Sequence, residues 1–130
     1  MRAIIVALIL AAFLALAGCA HKPGLGSAAD SATTYVALSS GEFVEANPLF
    51  TGLSPAATAL TLLAAKQGMK YGLTAAGIEH DDAHRAIETG GMAGAGWNLA
   101  MMAGASGIVP LVGGLGAALW YWAWSGDRLP

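Results

Sequence analysis

Between Thr89 and Gly126 the chain carries no charged residue and no histidine. Such a stretch does not suit the outside of an ordinary soluble domain, in which about a quarter of residues are charged. It is too long for one membrane span of ~20 residues and short for two. Gly107, Pro110, Gly113 and Gly114 cluster near its middle and mark a break. The pattern therefore predicts two helices, one from about Ala83 to Ala105 and one from about Val109 to Trp124. Trp120, Tyr121, Trp122 and Trp124 gather at the far end, as an interfacial aromatic belt would.

The rest of the chain agrees with this. Charged residues make up only 11% of the 130 residues and hydrophobic ones 56%, with a mean hydropathy of +0.61. Much of the apolar content is Ala and Gly, which lets helix backbones approach closely. The expected fold is all-α: a small membrane-associated bundle of about four short helices after an N-terminal signal peptide. A net charge of −2 without a basic patch argues against nucleic acid as a partner. A single cysteine excludes an internal disulfide and a multi-cysteine zinc site.

That cysteine has a different context. Met1-Arg2 is a minimal basic start, and Ala3 to Ala15 is an apolar run within the ~7–15 residues of a signal peptide. Leu16-Ala17-Gly18-Cys19 follows and resembles the lipobox of bacterial lipoproteins. The resemblance implies cleavage before Cys19 and acylation, including palmitate, at its thiol and new amino terminus. The alternative is a signal anchor with a chance cysteine. On the lipoprotein reading residues 1–18 are the signal peptide, 19–26 a lipidated tether rich in Pro and Gly, and 27–130 the helical membrane domain. The mature N-terminus then lies on the periplasmic or outer side of the cell membrane. Ala20, not Asp, follows the cysteine, which in that class favours the outer membrane. Spanning helices would favour the inner membrane, and the inner membrane is the expectation.

Ser27 to Glu45 reads as the first mature helix, with Ser27 and Asp30 at capping-box spacing. At ~100° per residue, Asp30, Thr34, Gly41 and Glu45 share one face. Asn47-Pro48 ends it, since proline disfavours α geometry in the residue before it. The pattern Asp30-x-x-Thr33-Thr34, then Gly41-x-x-x-Glu45-x-Asn47-Pro48, resembles an uncharacterised family of small bacterial membrane proteins. In that family a lysine in the next helix and an asparagine in a later one often accompany the signature, and Lys66 or Lys70 and Asn98 fit those places. The resemblance implies architecture and no activity.

Ser54-Pro55 is a strong helix start, and the helix it opens is expected to run to about Ala76, long enough to span a bilayer. Lys66, Lys70 and Thr74 fall at i, i+4 and i+8, with Gln67 beside them, and Gly68-x-x-x-Gly72 has close-packing spacing. A lysine this deep in an apolar helix points inward to a carboxylate, Asp30 or Glu45. Three readings follow: a structural ion pair that sets helix register, a proton or ion path through Asp30, Glu45 and Lys66, or a helix lying at the membrane interface without spanning.

His80, His84 and Glu88 share a helical face at i, i+4 and i+8 and are the candidate metal ligands. The spacing is a weak signal for a metal, a wet helix start explains the same residues, and Asp81 or Asp82 is a suitable N-cap. No metal or cofactor is expected. There is no nucleophile elbow and no phosphate-binding loop, so the chain reads as non-enzymatic. The expected role is that of a membrane-anchored lipoprotein, structural or interacting, with membrane lipid and a helix–helix partner or second copy as partners. The alternatives are a small ion- or proton-handling subunit and a peripheral lipoprotein without spanning helices.

Overall fold

A computed structural model describes residues 24–45 and 47–126, and within them four helices: α1 (Leu25–Ser39), α2 (Pro55–Ala75), α3 (His80–Met102) and α4 (Val109–Gly126). No strand occurs among the described residues, so the expected all-α bundle is the fold. The stretch resembling a lipobox, with Cys19, lies outside the described residues.

Local chemistry accounts for most of the boundaries. Ser54 accepts a bond from Ala57 N (3.2 Å) and Pro55 takes the first helical position of α2. The helix stops where Gly77 adopts φ +94. There Gly77 N donates to Thr74 O and Ile78 N to Leu73 O, both at 3.0 Å, the double bond of a Schellman stop. Gly104, at φ +82, closes α3 in the same way. That helix begins at His80, a turn earlier than expected. Glu79 is the cap, while Asp81 and Asp82 fall in the first turn, where their charge favours the amide-rich helix end.

The first helix departs from expectation at both ends. It begins at Leu25, taking in two residues of the expected tether, and there is no Ser27–Asp30 capping box: Gly24 is the N-cap and supplies no side-chain bond. It ends at Ser39, before Glu45, because Gly41 turns the backbone at φ +75 and the Ser40 hydroxyl bonds back to Ala37 O at 2.7 Å. Glu45 and Asn47 thus belong to a loop. Asn47 Oδ1 accepts from Leu49 N (3.0 Å) and makes the turn that the Asn-Pro pair announced.

Packing is organised by α3, which touches each of the other described helices, whereas among these α4 packs on α3 alone. Contacts fix the directions. Gly26 meets Gly91, Asp30 meets Gly94, and Thr34 meets Asn98. Both numbers rise together, so α1 and α3 run parallel. Gly96 meets Gly113, and Arg85 donates to Trp122 O, so α4 runs back antiparallel. Close approach comes from Gly26, Gly91, Gly94, Gly96 and Gly113. A Cβ at Gly72 would meet nothing, so Gly72 does not form the expected close contact.

Among the described residues no helix is long and apolar enough to cross a membrane. The 21 residues of α2 reach about 31 Å at 1.5 Å per residue, but its interior holds Lys66, Gln67 and Lys70. The expected transmembrane helices are therefore not found among the described residues; of the polar residues expected inside a bilayer, Asp30, Lys66 and Lys70 are buried between helices, Thr34 and Asn98 are half-buried, and Glu45 lies in a loop.

Candidate functional site

Two polar clusters sit one turn apart along the lysine face of α2. In the first, Lys66 forms an ion pair with Asp30, both less than a tenth exposed. Asn98 Nδ2 reaches Thr34 Oγ1 (3.0 Å), Thr33 Oγ1 (3.2 Å) and, more loosely, Asp30 Oδ1 (3.4 Å). Thr33 donates to Ala29 O at 2.9 Å. Three helices thus meet on one carboxylate.

In the second cluster Lys70 pairs with Glu88, and both are almost fully enclosed. Glu88 also accepts from Ser27 N (2.7 Å) and from Ser27 Oγ (2.6 Å). Ser27 is the third residue of α1, so its N–H is one of the donors that a helix start leaves without an intrahelical partner. Glu88 caps α1 from another helix, where its charge also opposes the positive end of the helix dipole. This is why Gly24 needs no capping side chain. It is also why residues 24 and 26 are glycine: a Cβ at either would overlap Glu88.

The expected partnership of Lys66 and Lys70 with Asp30 or Glu45 is therefore half right. Lys66 takes Asp30, whereas Lys70 takes Glu88, and Glu45 takes neither. One turn before Asp30 α1 offers only Gly26 and Ser27, so the second lysine must find its carboxylate on a different helix. The suggested metal face does not form. Glu88 is fully buried, while the His80 and His84 rings stack 6.3 Å apart at the outer end of α3, with His80 Nδ1 3.3 Å from Asp81 Oδ1. No group of three metal-ligating side chains occurs among the described residues. Gln67, beside the lysines, is buried with no hydrogen bond from its amide to a described residue.

Burial pushes the Glu88 carboxyl up, but Lys70 and the two Ser27 bonds outweigh it and hold the group below its ordinary value of 4.5. His84 is held below 6.5 by burial and by the Lys70 charge. Both shifts are depressions, so each contributes stability at high pH that is lost as pH falls. The expected result is a stability plateau above pH 6.5, a shallow decline below it as the unfolded chain protonates His84, and a steeper decline below pH 4.5 as Glu88 protonates. Melting temperatures from circular dichroism between pH 3 and 8 check this. In a Glu88→Gln variant the steep limb should shrink while the shallow one remains.

The first cluster borders a cleft of about 450 Å³, lined by Asp30, Thr34, Asn98, Glu45, Asn47 and Trp97 among others. Phe43, Val44, Glu45, Asn47 and Phe50 of the loop close one side of it. Asp30, Thr34, Glu45, Asn47 and Asn98, scattered over the sequence signature, are thereby brought to one place, and Lys66 stands behind Asp30. In Lys66→Leu the Asp30 carboxylate loses its cation but keeps its contact with Asn98, an expected loss of about 2 kcal/mol. Chemical unfolding should show much of this recovered in Lys66→Leu/Asp30→Asn and none of it in Lys66→Leu/Glu45→Gln.

No family model, curated protein or solved structure was found to match the chain.

Proposed function

We propose that the chain is a lipid-anchored, non-enzymatic protein of the bacterial cell envelope that works by interaction at a membrane surface, with its helical body lying against the bilayer. The observation that carries this reading is the outer face of α4. Val112, Leu115, Leu119 and Trp122 recur at i, i+3, i+7 and i+10, with Ile108 just ahead of the helix, and all are exposed, Leu119 to 70%. Among the described helices α4 packs on α3 alone, and of this stripe only Trp122 has a charged neighbour, the Arg85 guanidinium over its ring. Contiguous apolar faces of this kind mark membrane or protein contacts. Trp120, Trp122 and Trp124 at its end suit the headgroup level, where one side of the ring is apolar and the other wet.

The lipobox supports the same reading. A chain from Cys19 to Leu25 extends to about 20 Å at most, which keeps the helices next to any membrane that holds the acyl groups. Acyl chains and an apolar helix face then act as two cooperating attachments. The test uses a version exported through an ordinary cleavable signal peptide with Cys19→Ser. Wild type should show the mass of a chain that begins at an acylated Cys19 and should stay in the membrane pellet after carbonate. The Cys19→Ser version should be released. Retention of that version in the pellet overturns the reading and favours spanning helices. Separation of inner and outer membranes in the same preparation reports which one holds the protein.

The ion-handling alternative has one observation in its favour, that Asp30 and Glu45 border the same cleft. Its test is proton flux in proteoliposomes that disappears in Lys66→Ala.

A further inference from the structure

We infer that the cleft beside Asp30 is a binding site for a small organic cation with an apolar body, with Glu45 as the group that selects its charge. The cleft is of ligand size, since small-molecule sites commonly enclose about 300–1,000 Å³. Its walls carry three aromatic rings, Phe43, Phe50 and Trp97, contributed by the loop and by α3. Aromatic faces are negative at their centres and attract ammonium groups, tryptophan most strongly.

The charges around the cleft point the same way. Among the described residues no lysine, arginine or histidine lines it. Asp30 is neutralised from behind by Lys66 and further held by Asn98. Glu45 is different. It is half-buried, one oxygen accepts from Asn47 N at 2.7 Å, and no cation pairs with it among the described residues. Among the described residues the cleft therefore presents one negative charge without a cation of its own, beside aromatic rings. An anion would meet the Glu45 carboxylate with no cation to offset it. A neutral apolar molecule would fill the walls and leave that charge unanswered. A monocation with an aryl or short alkyl body satisfies both features, and a partly desolvated carboxylate attracts it more strongly than one in bulk water.

The position of Glu45 also fits this role. A carboxylate needed only to hold the bundle together would sit between helices, as Asp30 and Glu88 do. Glu45 is held by the turn around Asn47-Pro48 at the rim, where a ligand can reach it.

The test is calorimetric titration of the purified full chain, in the uncharged detergent dodecyl maltoside, with benzyltrimethylammonium as the probe. Benzyl alcohol and benzenesulfonate serve as the neutral and anionic comparisons. One-to-one binding of the cation is expected, at least tenfold tighter than of either comparison. Glu45→Gln should weaken it tenfold or more, and Glu42→Gln, an exposed acid on the same loop, should leave it within twofold. Trp97→Leu should also weaken it, independently of Glu45. Helix content and melting temperature of the Glu45→Gln protein should match wild type, because Glu45 lies outside every helix. No binding of the cation, equal binding of benzenesulfonate, or an unchanged affinity in Glu45→Gln would each overturn the inference.

Discussion

Glu88→Ala is expected to lower the unfolding free energy by about 3–5 kcal/mol, the usual result of removing one partner from a buried ion pair. That is a large part of the ~5–15 kcal/mol a domain commands. Two losses combine. Lys70 is left as an enclosed ammonium without its carboxylate, and Ser27 loses the acceptor for both its N–H and its hydroxyl. The first can be separated from the second. Lys70→Met/Glu88→Leu removes both charges and fills the space with apolar atoms, so it should recover much of the ion-pair loss. It should not recover the uncapped start of α1, worth about 1 kcal/mol. Urea unfolding followed at 222 nm provides the comparison. If the double variant is no more stable than Glu88→Ala, the charges are not coupled and the account of the second cluster is wrong.

Gly26→Ala should be nearly as damaging, although it changes one hydrogen for a methyl group. The new Cβ would overlap the backbone carbonyl of Glu88, and backbone cannot swing aside as a flexible side chain can. The helices must separate, which places the loss at about 3 kcal/mol, the upper end of ordinary overpacking. Separation also stretches the Ser27–Glu88 bonds. Gly90→Ala is the matched comparison. Gly90 is in the middle of α3, and a Cβ there meets nothing, so alanine should stabilise the helix by about 0.5–1 kcal/mol. Opposite shifts of melting temperature for two Gly→Ala changes on facing helices would locate the α1–α3 contact. A tolerated Gly26→Ala would show that the two backbones do not approach as closely as described.

The helix-forming pattern was plain in the chain because its signals are local. Ser54-Pro55, Gly77 and the glycine and proline cluster near 110 act within a few residues, and α2, α3 and α4 lie close to where those signals put them. The lysine stripe was also legible, since i, i+4 spacing puts Lys66 and Lys70 on one face whatever the surroundings. Glu88 was misread for the same reason in reverse. Its neighbours at i−4 and i−8 are His84 and His80, which suggested a ligand face, whereas its partners Ser27 and Lys70 come from other helices. The start of α1 went the same way. Ser27 and Asp30 have the spacing of a local cap, yet both side chains turn away from that task toward partners on α2 and α3.

In sequence the chain was already legible as all-α and low in charge, with two lysines on one helical face that pointed to buried carboxylates as one of the readings open. Hydrophobic periodicity and capping chemistry act over a few residues, so they can be read without a fold. Only the tertiary structure decided which carboxylate met which lysine, that Glu88 caps a helix begun 63 residues earlier (Leu25), and that the loop carries Glu45 round to face Asp30 across a cleft. Those outcomes depend on how close two backbones can come, and that was decided by where glycines on α1 and α3 happened to face one another.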